Sequence, residues 1–479
     1  MSGVLWTRDA VVLAVGGEAL GADWAAMGVS IDSRTLEPGD LFVAIHGDKS
    51  DGHGFVDAAF KAGAVAALVS EVTPAMKEAG PLVCVDDTLA ALNGLARAAR
   101  ARCGARRVAV TGSVGKTGTK DMLRQILSRQ GRTHASVASY NKQWGVPLSL
   151  ARMPADTAYG IFEVGMNHAG EIRPLTKLLE PDIAIVTTVE PVHLAFFASV
   201  EEIADAKGEI FEGLRPGGVA ILNRDNPHFD RLRLKAAQSG TGRIIGFGAH
   251  ETADARVLKI VLHEHCSCVA ADICGQAMTF KVGVPGRHMV MNSLAVLACV
   301  AALDGDLALA ALELAAFAAP RGRGARHQVA AVGRTFTLID ESYNANPASM
   351  QAAFEALGRV EPGKRGRRIA VLGDMLELGV DAPALHRALA TPFLQAKADL
   401  LFACGPHMQQ LFDAIPAERR GLYAARSQDL LAPLVDEIRD GDVVMIKGSF
   451  GSQMGLLVDG VLELGEDRPD AAHTQSGGR

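Results

Sequence analysis

The stretch from Arg107 to Thr117 limits the possible folds more than any other part of the chain. An apolar, β-prone run, Val108, Ala109 and Val110, meets Thr111, Gly112, Ser113, Val114, Gly115, Lys116 and Thr117, and a helical pattern follows over Lys120 to Arg129. Strand, glycine-bearing loop and helix in that order read as a phosphate loop. Gly112 and Gly115 let backbone N–H groups close around phosphate oxygens, and the helix N-terminus adds partial positive charge. Lys116 adds a point charge and Thr117 a hydroxyl suited to Mg²⁺. A nucleoside triphosphate is the expected ligand. The spacing departs from G-x-x-x-x-G-K-[ST], because Val110 stands five before Gly115. The competing reading is a glycine-rich turn that uses φ > 0 without binding anything.

At 479 residues the chain exceeds one ordinary core, so several domains are expected. A net charge of −6 with 21% charged residues offers no basic field for nucleic acid. The seven cysteines are scattered and odd in number, which suits a reducing cytosol better than a disulfide framework. Met1 to Ala10 carries Arg8 and Asp9 before any long apolar run, and Leu294 to Leu303 stops at Asp304, too short to span a bilayer. A cytoplasmic, monomeric protein without membrane insertion is expected.

The pattern divides into α/β units. Residues 1–87 read as a small domain, with strands over Leu41 to Ile45 and Ala64 to Val69 and a helix over Gly54 to Ala62. Ser33, Arg34 and His53 fall on its turns, where they could meet a ligand or only water. Residues 88–319 form a central domain that begins with a helix over 88–104. Its strand Tyr159 to Val164 brings Glu163 one crossover beyond the phosphate loop, within reach of the metal that Thr117 would hold. The strand Ile183 to Val189 precedes His193, and Lys207 lies on the helix Val200 to Phe211; on composition alone these are an ordinary loop histidine and a snorkelling lysine. Val257 to Ala270 is expected as one strand, which would point His263 and His265 to one face and Cys266 and Cys268 to the other, against a metal site. Residues 320–465 restart the pattern. Strands end at Asp340 to Pro347, Gly373 to Gly379, Cys404 to Gly405 and Lys447 to Ser449, as in a Rossmann-like doubly wound sheet with a site along its C-terminal edge. Residues 466–479 are polar and expected to be disordered.

Together these stretches resemble the Mur ligases, ATP-dependent amide-forming enzymes of cell-wall precursor assembly, over most of the chain. Thr111 to Thr117 is similar to their short phosphate loop. Within the family, Asp340 to Pro347, Gly373 to Gly379 and Lys447 to Ser449 resemble the member that adds D-alanyl-D-alanine to a UDP-N-acetylmuramoyl-tripeptide, and Asp32 to Arg34 with Pro38 to Ala44 resemble its UDP-binding domain. The resemblance implies that Thr117, Glu163, His193 and Lys207, the last as a carbamate, hold two Mg²⁺. It implies that His288 and Asn292 contact adenine, that Arg323 and Asp340 or Glu341 approach ATP from the third domain, and that Ser33 and Arg34 meet the uridine diphosphate. Ser139, Asn141, Asn344 and Asn346 fall in its substrate-binding loops. The implied chemistry is phosphorylation of a carboxylate, attack by the dipeptide amine, and release of ADP and phosphate, with closure about Pro320 to Arg323. Gly118 and Lys142 depart from the family pattern; at Lys142 an amide gives way to an ammonium that either meets the phosphoryl group or reaches solvent. A third-amino-acid-adding ligase, a folylpolyglutamate-type synthetase and a nucleotide-dependent switch protein are the competing readings.

Overall fold

The computed structural model describes residues 3–47, 50–137, 140–192 and 195–466. Three sheets of five, nine and six strands succeed one another along the chain, beside a short ribbon pairing Trp6–Thr7 with Ala25–Ala26. The first sheet runs in the spatial order Glu18–Leu20, Leu82–Cys84, Ala66–Val69, Asp40–Val43, Gly28–Ser30. Only its first pair is antiparallel. The expected helix after Gly54 begins as a 3-10 turn, Gly52–Phe55, and continues as Val56–Lys61.

The helix Thr88–Ala101 is set by its cap, Asp87, whose carboxylate accepts from Leu89 N and Ala90 N. Its buried face is shared. Leu92, Leu95 and Ala99 join the core of the first sheet, whereas Ala96 joins that of the second, so the helix couples the two units.

In the nine-stranded sheet Arg106–Thr111 lies between Tyr159–Glu163 and Ile183–Val186, parallel to both. The chain leaves this strand toward one side and later returns to the other. That makes its carboxyl end a topological switch point, where an open α/β sheet leaves a crevice. Every residue of Val108 to Thr111 is buried, as a strand covered by helices on both faces requires. Lys116–Ser128 follows directly, with Met122, Leu123, Ile126 and Leu127 turned into the core.

One sequence expectation is corrected here. Val257 to Ala270 is not one strand but the two arms of a hairpin, Ala255–Leu262 and Ser267–Ile273, which pair antiparallel and continue to Gln276–Val282. His263 to Cys266 make the turn, closed by His263 N donating to Cys266 O at 2.9 Å. The face-alternation argument therefore does not apply to them.

The last sheet runs Ala325–Ala331, Arg334–Glu341, Val443–Lys447, Arg368–Gly373, Leu400–Cys404, Arg420–Ala424. Its first pair is a hairpin and the rest is parallel. The two outer strands escape the sequence pattern because they are half exposed and short of apolar residues. Glu466 ends the helix Gly455–Glu466 rather than opening the tail, and the remaining tail residues lie outside the described ones. Among the described residues no helix is long and apolar enough to cross a membrane.

Candidate active site

The carboxyl ends of the second and third sheets face one another across a cleft of about 570 Å³. The phosphate loop forms one wall. Gly112 and Gly115 take φ of 148° and 85°, where a Cβ would be strained, and Gly115 turns the chain directly into the helix of Lys116. Ser113 faces away from solvent and staples the loop to its neighbour: its Oγ donates to Glu190 O at 3.0 Å and accepts from Glu190 N at 2.9 Å. Ser113, Val114, Gly115, Lys116 and Thr117 line the cleft. Thr111 does not; it is fully buried in the strand beneath, which removes its side chain from the expected ligand set.

Lys116 Nζ donates to Gly112 O at 2.6 Å, so the ammonium lies folded over the loop. Burial lowers its pKa, Glu163 opposes that, and the positive charges of Arg323 and Lys142 add to the lowering. Glu163 ends its strand buried, as the sequence predicts, and both carboxylate oxygens are engaged. Thr117 Oγ1 donates to Oε2 and Asn141 Nδ2 to Oε1, each at 2.7 Å. A hydroxyl from the helix, a carboxylate from a strand end and an amide from a loop thus meet at the first turn of the phosphate-loop helix.

Lys207 lies on the helix Val200–Gly208, 2% exposed and outside the cleft lining. Its ammonium has no hydrogen-bond or ion-pair partner among the described residues. Burial first, and the charge of Lys116 second, push its pKa well below the ordinary lysine value. A snorkelling lysine would reach water, and this one does not. His193 and Ser139 lie outside the described residues.

Asn292 packs against the phosphate loop closely enough that a Cβ on Gly115 would sit 2.7 Å from its Oδ1. His288 shares its helix, Arg287–Ala302, and also lines the cleft; desolvation by the surrounding protein holds its pKa below the usual histidine value.

The third sheet supplies the facing wall. The alternation of side chains along Arg334–Glu341 separates two adjacent acids. Asp340 is fully buried and accepts from Gly322 N at 2.7 Å, Ser342 N at 3.1 Å and Ser342 Oγ at 2.6 Å, so it shapes the loop and is withdrawn from the expected nucleotide contacts. Glu341 lines the cleft, with Lys447 Nζ 3.2 Å from its Oε2. Lys447 also donates to Asn344 O at 2.9 Å. Arg323 lies over the Tyr343 ring, 4.2 Å from its centroid. Asn346, expected to bind substrate, caps the helix Pro347–Arg359 through a reciprocal bond with Ser349 while still bordering the cleft, as does Asn344. Ser449 joins three strand-end loops: its Oγ donates to Ala345 O at 3.3 Å and accepts from Leu376 N at 2.9 Å.

Away from the cleft, Arg34 forms a two-point pair with Asp32, at 2.9 and 2.6 Å, on an exposed turn beside Ser33. His53 is not a turn residue open to a ligand. Its ring is buried, with Nδ1 2.6 Å from Asp51 and Nε2 accepting from Ser70 N at 2.9 Å. Residues that sequence reasoning leaves unassigned include Thr188, Glu190, Asn223, Tyr343 and Glu377, all at the cleft. The rule that singled out Glu163, a polar residue just beyond a parallel strand, also finds Thr188, Glu190 and Asn223.

Comparison with known proteins agrees with this geometry. Residues 26–100 match the Mur ligase family catalytic domain, 110–300 the Mur ligase middle domain, and 325–450 the glutamate ligase domain of Mur ligases. The UDP-N-acetylmuramoyl-tripeptide–D-alanyl-D-alanine ligase of Escherichia coli (strain K12) is 34% identical over 455 residues, covering 94% of this chain and 96% of that protein. Its counterpart in Bacillus subtilis (strain 168) is 33% identical over 445 residues, covering 91% and 93%. A crystal structure of MurF from Acinetobacter baumannii superposes with a TM-score of 0.83 at 27% identity, covering 96% of this chain and 99% of that one. MurF from Thermotoga maritima in complex with ADP gives 0.76 at 25% identity, covering 92% and 98%. The middle domain, in which the phosphate loop, Thr117 and Glu163 converge, and the domain facing it are thus those of one family: the chain belongs to the Mur ligases and is an ATP-dependent amide ligase of peptidoglycan synthesis.

Proposed function

We propose that the protein joins D-alanyl-D-alanine to the terminal carboxylate of a UDP-N-acetylmuramoyl-tripeptide at the expense of ATP, and acts in the cytoplasm. The observation that carries the reading is the meeting of the phosphate loop and Glu163 with a second wall, Arg323, Glu341 and Lys447, in one cleft. Such a cleft can hold a nucleotide between two domains and exclude water from a reactive acyl phosphate. The full-length likeness to the tripeptide ligases of E. coli and B. subtilis supports the choice of substrates.

A carboxylate does not react with an amine, so the γ-phosphoryl group must first pass to it. The bond from the γ-phosphorus to the ADP oxygen breaks as one to the carboxylate oxygen forms. Backbone N–H groups of the loop and the Lys116 ammonium disperse the moving negative charge. The dipeptide amine then attacks the acyl carbon, loses its proton, and phosphate departs. Arg323 and Lys447, brought by the third domain, line the facing wall, where they would meet the nucleotide. Ser33 and Arg34 are assigned to the uridine diphosphate, and Asn292 with His288 to adenine.

The donor chemistry fits magnesium. Thr117 offers a hydroxyl and Glu163 a carboxylate on one side. Lys207 is buried and without a partner among the described residues, and its burial disfavours the ammonium relative to the neutral amine that carbon dioxide can carbamylate. Thr117, Glu163, His193 and carbamylated Lys207 would hold two ions, whose bound charge would neutralise the triphosphate.

The test is substrate-dependent chemistry. ATP labelled at its β,γ-bridging oxygen should scramble that label only when the muramoyl tripeptide is present, and hydroxylamine should trap the peptide as a hydroxamate. Phosphate release should require tripeptide, dipeptide and ATP together. Absence of both scrambling and hydroxamate, or turnover with folate and glutamate instead, would overturn the assignment.

A further inference from the structure

The loop that follows the strand Thr133–Ala135 carries a cation whose surroundings leave it without an internal purpose. Lys142 lines the cleft and is exposed, and its ammonium has no carboxylate partner among the described residues. Acids are nearby, but they are taken. Glu163 is bound through both oxygens by Thr117 and Asn141, Glu341 faces Lys447, and Glu190 Oε1 accepts from Thr188 Oγ1 at 3.0 Å.

The backbone beneath Lys142 is firmly held. Lys142 O accepts from Val146 N at 3.0 Å, Asn141 O accepts from Gly165 N at 2.8 Å, and Gly145 lies so close to Tyr140 that a Cβ there would be 2.5 Å from its backbone. Tyr140 and Trp144 pack against the core of the first sheet. The segment 140–146, held in this way, thus presents one flexible, unpaired ammonium, next to the residue that grips Glu163, on the side where Thr117 opens the phosphate-loop helix.

Like charges have been gathered around this spot. Lys142, Lys116 and Arg323 all line the one cleft. Lys142 and Arg323 reach the cleft without a carboxylate partner among the described residues, and an anionic ligand relieves that unmatched positive charge.

We infer that Lys142 is a phosphate-contacting residue of this enzyme: its ammonium binds the terminal phosphoryl group of ATP and follows that group as it moves to the substrate carboxylate. The inference rests on the ligase reading for the second half of that statement, and on the cleft alone for the first. Lys116 and Lys142 would both reach the transferring group, and the charge-assisted bond would strengthen as the site closes.

Isothermal titration with ADP and with adenosine 5′-(β,γ-imido)triphosphate, in Mg²⁺ at fixed ionic strength, tests it without any peptide. Lys142→Met should weaken the imidotriphosphate about tenfold while leaving ADP within about twofold, and Lys142→Arg should keep most of the affinity. Because Lys142 is exposed, the melting temperature should not move. Unchanged affinity for both nucleotides, or an equal loss for both, would overturn the inference. So would an effect confined to the KM of the muramoyl tripeptide, which would assign Lys142 to the peptide carboxylate. A parent protein that discriminates the nucleotides through Lys142 but releases no phosphate with tripeptide and dipeptide would refute the ligase reading and keep the nucleotide contact.

Discussion

Replacing Gly112 with alanine tests how tightly the phosphate loop is held by the strand beside it. Gly112 sits at φ +148°, and a Cβ built there collides with Thr187 Oγ1. Thr187 cannot step aside at no cost. It is buried, its backbone N donates to Thr111 O at 3.0 Å, and its hydroxyl lies 2.5 Å from Val114 O and 3.3 Å from Thr111 O. The unfavourable φ costs about 1–3 kcal/mol, overpacking about 1–3 kcal/mol, and a displaced hydroxyl hydrogen bond about 1 kcal/mol. Partial relaxation of the loop leaves about 3 kcal/mol as a fair expectation, or roughly a hundredfold in nucleotide affinity. Titration calorimetry with ADP on Gly112→Ala, Thr187→Ala and the double variant measures it. The double variant removes the collision but keeps the strained φ, so the cycle should show a coupling of about 1–2 kcal/mol. If Gly112→Ala binds ADP within about threefold of the parent, or if the two substitutions simply add, the loop is not set by this contact.

Lys207→Ala should be nearly inactive in phosphate release, and small carboxylic acids should restore part of the rate by supplying the missing anion; full activity of the variant would remove Lys207 from the chemistry. A separate expectation concerns pH. His386 is fully buried, its Nε2 accepts from Met375 N at 2.9 Å, and Nδ1 therefore donates to Ala382 O at 2.6 Å. Burial lowers its pKa, and His407 adds to that, against the opposing pull of the Ala382 carbonyl and of Asp374 at 3.8 Å. The unfolded chain then takes up the proton first, so stability should fall as pH drops below about 6.5, by at most about 1.4 kcal/mol per pH unit until the lowered folded value is reached. Urea midpoints compared at pH 7.5 and 5.5 should show a smaller drop for His386→Gln than for the parent; equal drops would discount His386.

Much of this was legible in one dimension. The phosphate loop reads from sequence because strand, glycines, lysine and hydroxyl must be consecutive to wrap a phosphate, and the family motifs are similarly local. The strand-end loops of the third domain are legible for a related reason: parallel strands are short apolar runs, and whatever follows each of them arrives at one edge. The hairpin of Ala255–Leu262 and Ser267–Ile273 was not legible, because its alternation continues up to a turn, His263 to Cys266, that contains neither glycine nor proline.

Partnership and burial belong to the tertiary structure. Asp340 and Glu341 are adjacent acids at the end of one strand, and only the packing of that strand decides that the first supports the loop while the second faces the cleft. Thr117 meets Glu163 across 46 residues of chain, and Lys447 meets Glu341 across 106. Lys207 has the local sequence of an exposed helical lysine, yet the surrounding packing withdraws it from water. The sequence alone determined which groups could bind phosphate and which edges could carry them. Which of those groups are paired, buried or left available depends on neighbours that are distant in the chain, and no local pattern encodes the dielectric that those neighbours create.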